Sequence, residues 1–406
     1  MNKEKIIDSE TSYSVGIVNN NVDALRVNDN KSTSVRVYEN GCIGVAGAIG
    51  DADETELTKR AVKNLSFGVK YPCDFTKGLV KSVNDAKKIP TANDFMKQVE
   101  SLVAKLSDKY PDYVFSNKVN VESKKVIYTN SENTSLDYAS SAYDTSIMIK
   151  AKSSANIFDL GYGAKNDVFD ADAIVDEISV LLNAYETPID FPDEKLPVII
   201  DSASLAGHIV NGLVAETFLS GASLFSGKSG QKIFNEKVSL CFDRTPNNDS
   251  KTPFFDKEGT VKENYKFDLV KNGVLKGLVA TKRTAAMFGI ESSGTSVSTF
   301  DSVPMAGAGG YTFEPTCKDL TEIINGKAIY VYMTSGGDMT PAGDLGMPVM
   351  LAYLYDNGKL TGRLPEFGIG GNIFDVLGKN FVGICRNDIF NYDKHKVLVS
   401  YFDINK

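Results

Sequence analysis

Read along the chain, apolar residues recur first at every second position and then at every third or fourth, so strands are predicted before helices. Residues 11–48 alternate through TSYSVGIVNN, NVDALRVN and STSVRVYENGCIGVAGAI, which predicts consecutive strands with a tight hairpin turn at Asn40-Gly41. The acids between Asp51 and Glu56 suit the positive end of a helix, and Leu57, Ala61, Val62 and Leu65 supply its apolar positions. A second helix is predicted to start at Thr91 or Asn93, striped by Phe95, Val99, Leu102, Val103 and Leu106. Alternation returns from Tyr113 to Phe158, and a third helix is predicted from about Asp170 to Tyr185.

Thr187-Pro188, Phe191-Pro192 and Leu196-Pro197 then punctuate the chain, each proline removing a donor and helical freedom. The expected domain boundary lies in residues 186–195. Beyond it, strands are predicted at 237–242, 265–270, 274–280, 328–333, 349–356 and 396–402, with hairpin turns at Asn272-Gly273 and Asn357-Gly358 and helical turns only at 281–288 and 317–324. The expected fold class is α+β: an N-terminal α/β domain (1–190) with an antiparallel sheet and flanking helices, and a C-terminal β-rich domain (191–406). No tandem repeat or low-complexity tract is visible.

The densest signal is LPVIIDSASLAGHIVNGLVAETFLSGASLFSGKSG, residues 196–230. Pro197 to Ile200 reads as a strand, and Asp201 and Ser202 offer oxygens to the free N–H groups of a following helix. Leu205, Ile209 and Leu213, with Val210 and Val214, keep helical spacing, which brings His208, Asn211 and Gly212 together on the helix surface. A zinc peptidase helix needs two imidazoles one turn apart and a glutamate beside the first. Here there is one histidine, and Glu216 lies two turns on. No metal site and no cofactor are expected.

Composition narrows the function classes. The 406 residues are about twice a usual single domain, and 42% hydrophobic content can fill two cores. With 44 Lys+Arg against 52 Asp+Glu, the net charge of −8 argues against direct binding of nucleic acid. The five cysteines are odd in number, far apart and never in C-x-x-C, so a disulfide framework is not expected and a reducing cytoplasmic setting is. MNKEKIIDSE lacks the apolar core of a signal peptide, and no run is long enough to span a bilayer, so no membrane partner is expected.

Several residues invite sharper chemistry. FGIGGNIFD, with Gly368, Gly370, Gly371 and Asn372, resembles a phosphate-cradling loop but lacks a strand-turn-helix unit with the right spacing, so a tight turn is expected. Ser226 and Lys228 sit in a glycine loop where adjacency alone does not make a nucleophile. Asp256 and Glu258 could pair as acid and base, yet a Lys-rich polar turn is expected to leave both solvated and unshifted. His395 is expected at the surface of the charged NYDKHK turn.

A family resemblance enters in the second half. Asp256-Lys257-Glu258-Gly259 followed by FDLVKNGVLKGLVATKRTAAMFGIESSGTS resembles the TldD/PmbA pattern D-D-E-G … L-x-x-x-G-x-L-x-G-x-L … S-A-x-x-x-G … S-T-G-N. MTSGGDMTPAGDLGMPVMLAYLYDNGKLTG and FGIGGNIFDVLGKNFVGICRND resemble the family's last hairpin and its glycine-rich closing segment, and AGHIVNGLVAE is similar to the G-H-L-V-G-A-I-S-G helix of the PmbA (TldE) branch. The similarity covers most of residues 196–390.

The family, also known under the heading of modulators of DNA gyrase, implies an N-terminal α/β domain, a β-rich C-terminal domain and a heterodimer of two branches that processes peptides. In the TldD branch the helix carries H-E-x-x-x-H, with a cysteine as a further zinc ligand. This chain departs from that pattern: Ala206 and Gly207 stand where the first histidine and the glutamate would fall, and Asn211 where the second histidine would. Cys385, in GICRND, stands where members show a short G-N-D-like turn, so no ligand role carries over to it. The resemblance therefore implies a metal-free subunit whose partner is a TldD-like zinc protease subunit, in a heterodimer or larger assembly, acting on a peptide or unfolded substrate. A homodimer is the state considered for the isolated chain. Catalytic residues are expected to be absent, with His208, Asn211, Asp256, Glu258, Gly370, Gly371 and Asn372 as groove candidates. The alternatives are a stand-alone peptide-binding or regulatory protein, and a metal-free hydrolase using Ser226 or Cys385.

Overall fold

Alternation carries the opening strands beyond the stretch that the apolar residues mark. In the computed structural model, which describes residues 1–393 and 395–406, β1 (Asn2–Val18), β2 (Asn21–Glu39) and β3 (Cys42–Ile49) form an antiparallel meander. β1 shows no apolar alternation before residue 11 because its first inward position is the buried carboxylate Glu4 and residues 7–14 are all only half-buried. Asn40 and Gly41 turn with φ of 52° and 71°, and Asn19 and Asn20 make a second such turn at 48° and 65°.

The rest of the first half follows the same local logic. α1 (Glu54–Asn64) is capped by Asp53, whose carboxylate accepts the Thr55 N–H at 2.8 Å. After β4 (Val80–Asp85), Thr91 caps α2 (Ala92–Lys109), and all five residues of its apolar stripe are buried. Then come β5 (Tyr113–Asn130), β6 (Ser135–Ala151), β7 (Leu160–Asn166) and α3 (Ala171–Tyr185), the last capped by Asp170. The sheet runs β3-β2-β1-β5-β6, with β4 parallel and β7 antiparallel along the outer side of β6.

The second half contains β8 (Val198–Asp201), α4 (Ser202–Gly212), α5 (Ala215–Leu219), β9 (Leu240–Asp243), β10 (Lys266–Lys271), β11 (Val274–Leu275), α6 (Lys282–Phe288) and β12 (Tyr311–Phe313). It continues with β13 (Lys327–Thr334), β14 (Asp338–Met339), β15 (Asp344–Asp356), β16 (Lys359–Arg363), β17 (Phe367–Asn372), α7 (Ile373–Val376), β18 (Phe381–Arg386), β19 (Lys396–Ser400) and β20 (Asp403–Asn405). β9 to β12 make a four-stranded sheet in the order β11-β10-β9-β12. The remaining strands make a nine-stranded sheet, β18-β19-β8-β13-β15-β17-β20, with β14 and β16 on β15.

Three local expectations change. The strand expected over 274–280 lasts two residues, because the Lys276 and Gly277 N–H groups both turn to the Leu269 carbonyl and the chain leaves the sheet. Val279 instead bonds with Leu213 and Ala215 at the start of α5. The helix predicted through Val214 breaks at Gly212, where any Cβ would lie 2.8 Å from the Phe225 ring. Over 317–324 only Leu320–Glu322 forms a helical turn, of the 3-10 type.

One large apolar cluster joins Val15, Phe95, Leu106, Phe115 and Leu181 to Ile199, Tyr330, Tyr353 and Val397. A second lies under α4, around Leu205, Ile209, Phe225, Leu269 and Leu398. No helix of the described residues is long and apolar enough to cross a membrane.

Candidate functional site

β8 delivers the chain into α4, and the Asp201 carboxylate accepts the Ala203 N–H at 3.1 Å to start the helix. Leu205, Ala206, Ile209 and Val210 face the core, with Ala206 only 1% exposed. His208 and Asn211 lie one turn apart on the outer side; His208 is half-buried and Asn211 exposed. Among the described residues neither side chain forms a hydrogen bond within the protein, so both keep their capacity for a ligand.

Asp256 and Glu258 are not solvated as expected: they are 3% and 2% exposed. The turn is roofed by residues distant in sequence. Asp256 accepts the N–H groups of Glu258, Thr260 and Ser296, each at 2.9 Å, which fixes the turn. The Glu258 carboxylate accepts the Tyr71 hydroxyl at 2.6 Å and the Lys282 N–H at 3.1 Å. The Lys282 ammonium is spent on main-chain carbonyls, of Glu258 at 3.1 Å and of Asp74. Burial, reinforced by the neighbouring charge of Asp256, pushes the Glu258 carboxyl up to about 7.

Against this turn lies a second buried polar cluster that nothing in the sequence singled out. Fully buried Arg36 on β2 pairs with Glu4 on β1 at 2.9 Å and donates to the Lys257 carbonyl and the Ser298 hydroxyl. Glu4 also accepts the hydroxyls of Tyr38 (2.9 Å) and Tyr128 (2.8 Å). Its contacts join residues from 32 to 262 positions apart, so no local pattern carries that signal.

Gly370, Gly371 and Asn372 do not form the expected tight turn: they are the last three residues of β17, paired with β15, and they lead directly into α7, a helical turn that the sequence did not predict. Asn372 caps α7 by accepting the Phe374 N–H at 3.1 Å, while its amide donates to Ala342 O at 3.1 Å and Asp344 Oδ1 at 2.9 Å. Gly371 has φ of 151°, and a Cβ there would sit 3.1 Å from Val376. The seven candidates fall into three places, the end of β17, the α4 surface and the Asp256–Glu258 turn, and no hydrogen bond among the described residues joins them.

The other reactive candidates are committed elsewhere. The Ser226 hydroxyl donates to Phe218 O at 2.7 Å and accepts the Ser223 N–H at 3.2 Å, while the Lys228 ammonium lies over the Phe374 ring, 5.6 Å from its centroid. Cys385 has no solvent exposure, and burial raises its thiol. His395 is not a free surface imidazole. Its Nδ1 lies 2.6 Å from Asp393 and its Nε2 3.2 Å from the Asn387 amide. Burial opposes its charge, but the bond to Asp393 and the fields of Asp393, Asp201 and Glu177 win and raise its pKa.

Among the described residues, one grouping has metal-ligand atoms close together: Cys241, Asp268 and Glu314, within 4.8 Å of one another. Cys241 and Asp268 are cross-strand partners on β9 and β10. Lys271 already supplies a cation there, at 2.8 Å from Glu314 and 3.8 Å from Asp268, and burial pushes the Cys241 thiol up to about 12. Asp268, Glu314, Lys262 and Phe267 also line an open groove of about 730 Å³.

The family model described as PmbA/TldA metallopeptidase C-terminal domain matches residues 193–400, the half that contains α4, the buried turn and the Asn372 cap. The chain belongs to the PmbA/TldD family. Over 219 residues it is 28% identical to a metalloprotease of Methanocaldococcus jannaschii, a match covering 48% of this chain and 47% of that protein. A metalloprotease of Archaeoglobus fulgidus is 25% identical over 407 residues, covering 92% and 89%. The chain thus spans about half the length of the first relative and most of the second. The fold resembles that of TldE from Thermococcus kodakarensis, with a TM-score of 0.78 at 17% identity over 100% of this chain and 97% of that one.

Proposed function

We propose that the chain is a PmbA/TldE-like subunit of a peptide-processing metalloprotease assembly, without catalytic metal of its own, and that it supplies a partner surface and part of a substrate groove. The observation that carries this reading is α4. At the positions of H-E-x-x-x-H it has Ala206, Gly207 and Asn211, and Ala206 is packed into the core, so no imidazole pair faces one point. A TldD-like partner supplies zinc, water activation and the base, and the His208 and Asn211 side chains, unbonded among the described residues, offer polar contacts to a peptide or unfolded substrate. The setting is cytoplasmic. A metal-free hydrolase is the weaker reading, since the Ser226 hydroxyl is bonded to the backbone and Cys385 is buried.

The test is peptide degradation by this chain alone, by a TldD-like partner bearing H-E-x-x-x-H, and by the mixture. The expected outcome is cleavage of unstructured peptides only in the mixture, abolished by chelation and by replacing the partner's glutamate. Chelator-resistant cleavage by this chain alone, surviving repurification, overturns the reading.

A further inference from the structure

β18 is an edge strand, bonded to β19 on one side, and its other side is covered by the segment after β12. The Thr316 and Cys317 N–H groups both donate to the Ile384 carbonyl, at 2.7 and 3.3 Å, and the Thr316 hydroxyl accepts the Ile384 N–H at 2.9 Å. Two pieces of chain are thereby locked side by side. Gly383 and Cys385, two apart on one strand, face the same side of it. The Cys317 sulfur lies 3.5 Å from where a Gly383 Cβ would stand and 3.4 Å from the Ile384 carbonyl oxygen. It therefore lies on the face from which Cys385 projects, beside Ile323 and Thr316 in the space next to Gly383, and each thiol contributes to the shift of the other's titration.

We infer that Cys317 and Cys385 are a redox-modification site, a thiol pair that closes to a reversible disulfide and clasps the segment after β12 to edge strand β18. The remaining cysteines, Cys42, Cys73 and Cys241, lie in β3, in the loop after α1 and in β9. Cys317 is half-buried and Cys385 fully buried, which sets the order of events. With a small disulfide such as oxidised glutathione as oxidant, the Cys317 thiolate attacks one sulfur and releases one glutathione thiolate. The Cys385 thiolate then attacks the Cys317 sulfur and releases the second. Two protein thiols are oxidised, one glutathione disulfide is reduced to two glutathiones, and the thiol protons leave with them. Burial raises both thiols, so the reaction is slow near neutrality and accelerates with pH.

The experiment uses the full chain with excess oxidised glutathione, followed by alkylation in denaturant and peptide mapping. The expected product has peptides containing Cys317 and Cys385 joined, a mass lower by two hydrogens and two of the five thiols lost, all reversed by dithiothreitol. Its rate should climb about tenfold per pH unit between roughly pH 7 and 9. Cys317→Ser, at the half-buried position, should stay folded and keep Cys385 free. Recovering Cys317 and Cys385 unjoined from oxidised wild type, or finding Cys317 carrying glutathione while Cys385 stays free, would overturn the inference. So would a rate that ignores pH.

Discussion

Glu258 shows how a residue's neighbours decide its chemistry. Among the described residues its carboxylate has two donors and no ammonium bonded to it, since Lys282 is turned to carbonyls, and the charge of Asp256 lies beside it. Its folded pKa of about 7 stands above the ordinary 4.5, so between those values the folded chain holds a proton that the unfolded chain has released. The stability contributed by this group is present below about pH 4.5 and is lost as pH rises through 7, by on the order of 3 kcal/mol. Glu258→Gln should flatten that part of the stability-versus-pH curve, measured by denaturant unfolding from pH 5 to 8 in about half-unit steps. A variant with the same slope as wild type would show that the proton is held elsewhere.

At the scale of the element, α4 is a metallopeptidase helix in position and not in side chains. One imidazole without a second ligand a turn away cannot close a tetrahedral site, so elemental analysis of the purified chain should find no stoichiometric zinc dependent on His208. His208→Ala should leave the fold intact at a cost of about 1–3 kcal/mol or less, since the imidazole makes no hydrogen bond among the described residues. About one zinc per chain, lost on that substitution, would refute the first statement, and a complete loss of soluble protein would refute the second. Elements of this kind were legible because their causes are local. Asp53, Thr91, Asp170 and Asp201 cap the helices that follow them, and Asn40-Gly41, Asn272-Gly273 and Asn357-Gly358 turn with positive φ. What was not legible depends on distant partners. Nothing near Glu258 in sequence announces Tyr71, 187 residues away, and nothing near Gly212 announces the Phe225 ring that packs where a Cβ of residue 212 would stand.

At the scale of the whole molecule, the proposed division into 1–190 and 191–406 is one of topology, while one of the two large apolar clusters draws on both parts. Buried carboxylates reinforce that sharing: Glu177 on α3 accepts the Tyr162 hydroxyl at 2.7 Å and main-chain N–H groups of Tyr392 and Asp393. Separating the parts would strip apolar surface and charged groups of their partners together. Calorimetry should therefore show one cooperative transition, with the van't Hoff and calorimetric enthalpies equal. Two resolved transitions would show that the shared cluster does not couple the halves.

The contact of Arg36 with the Lys257 carbonyl also has a meaning in time. The two residues are 221 positions apart, which a ribosome adding about 5–20 residues per second crosses in roughly 10–40 s. For that interval the first sheet carries a guanidinium without its final carbonyl and a Tyr71 hydroxyl without Glu258, so the earliest-made strands cannot reach their finished state until the buried turn has emerged. A nascent chain stalled before residue 257 should accordingly hold its opening meander loosely enough for a protease to cut.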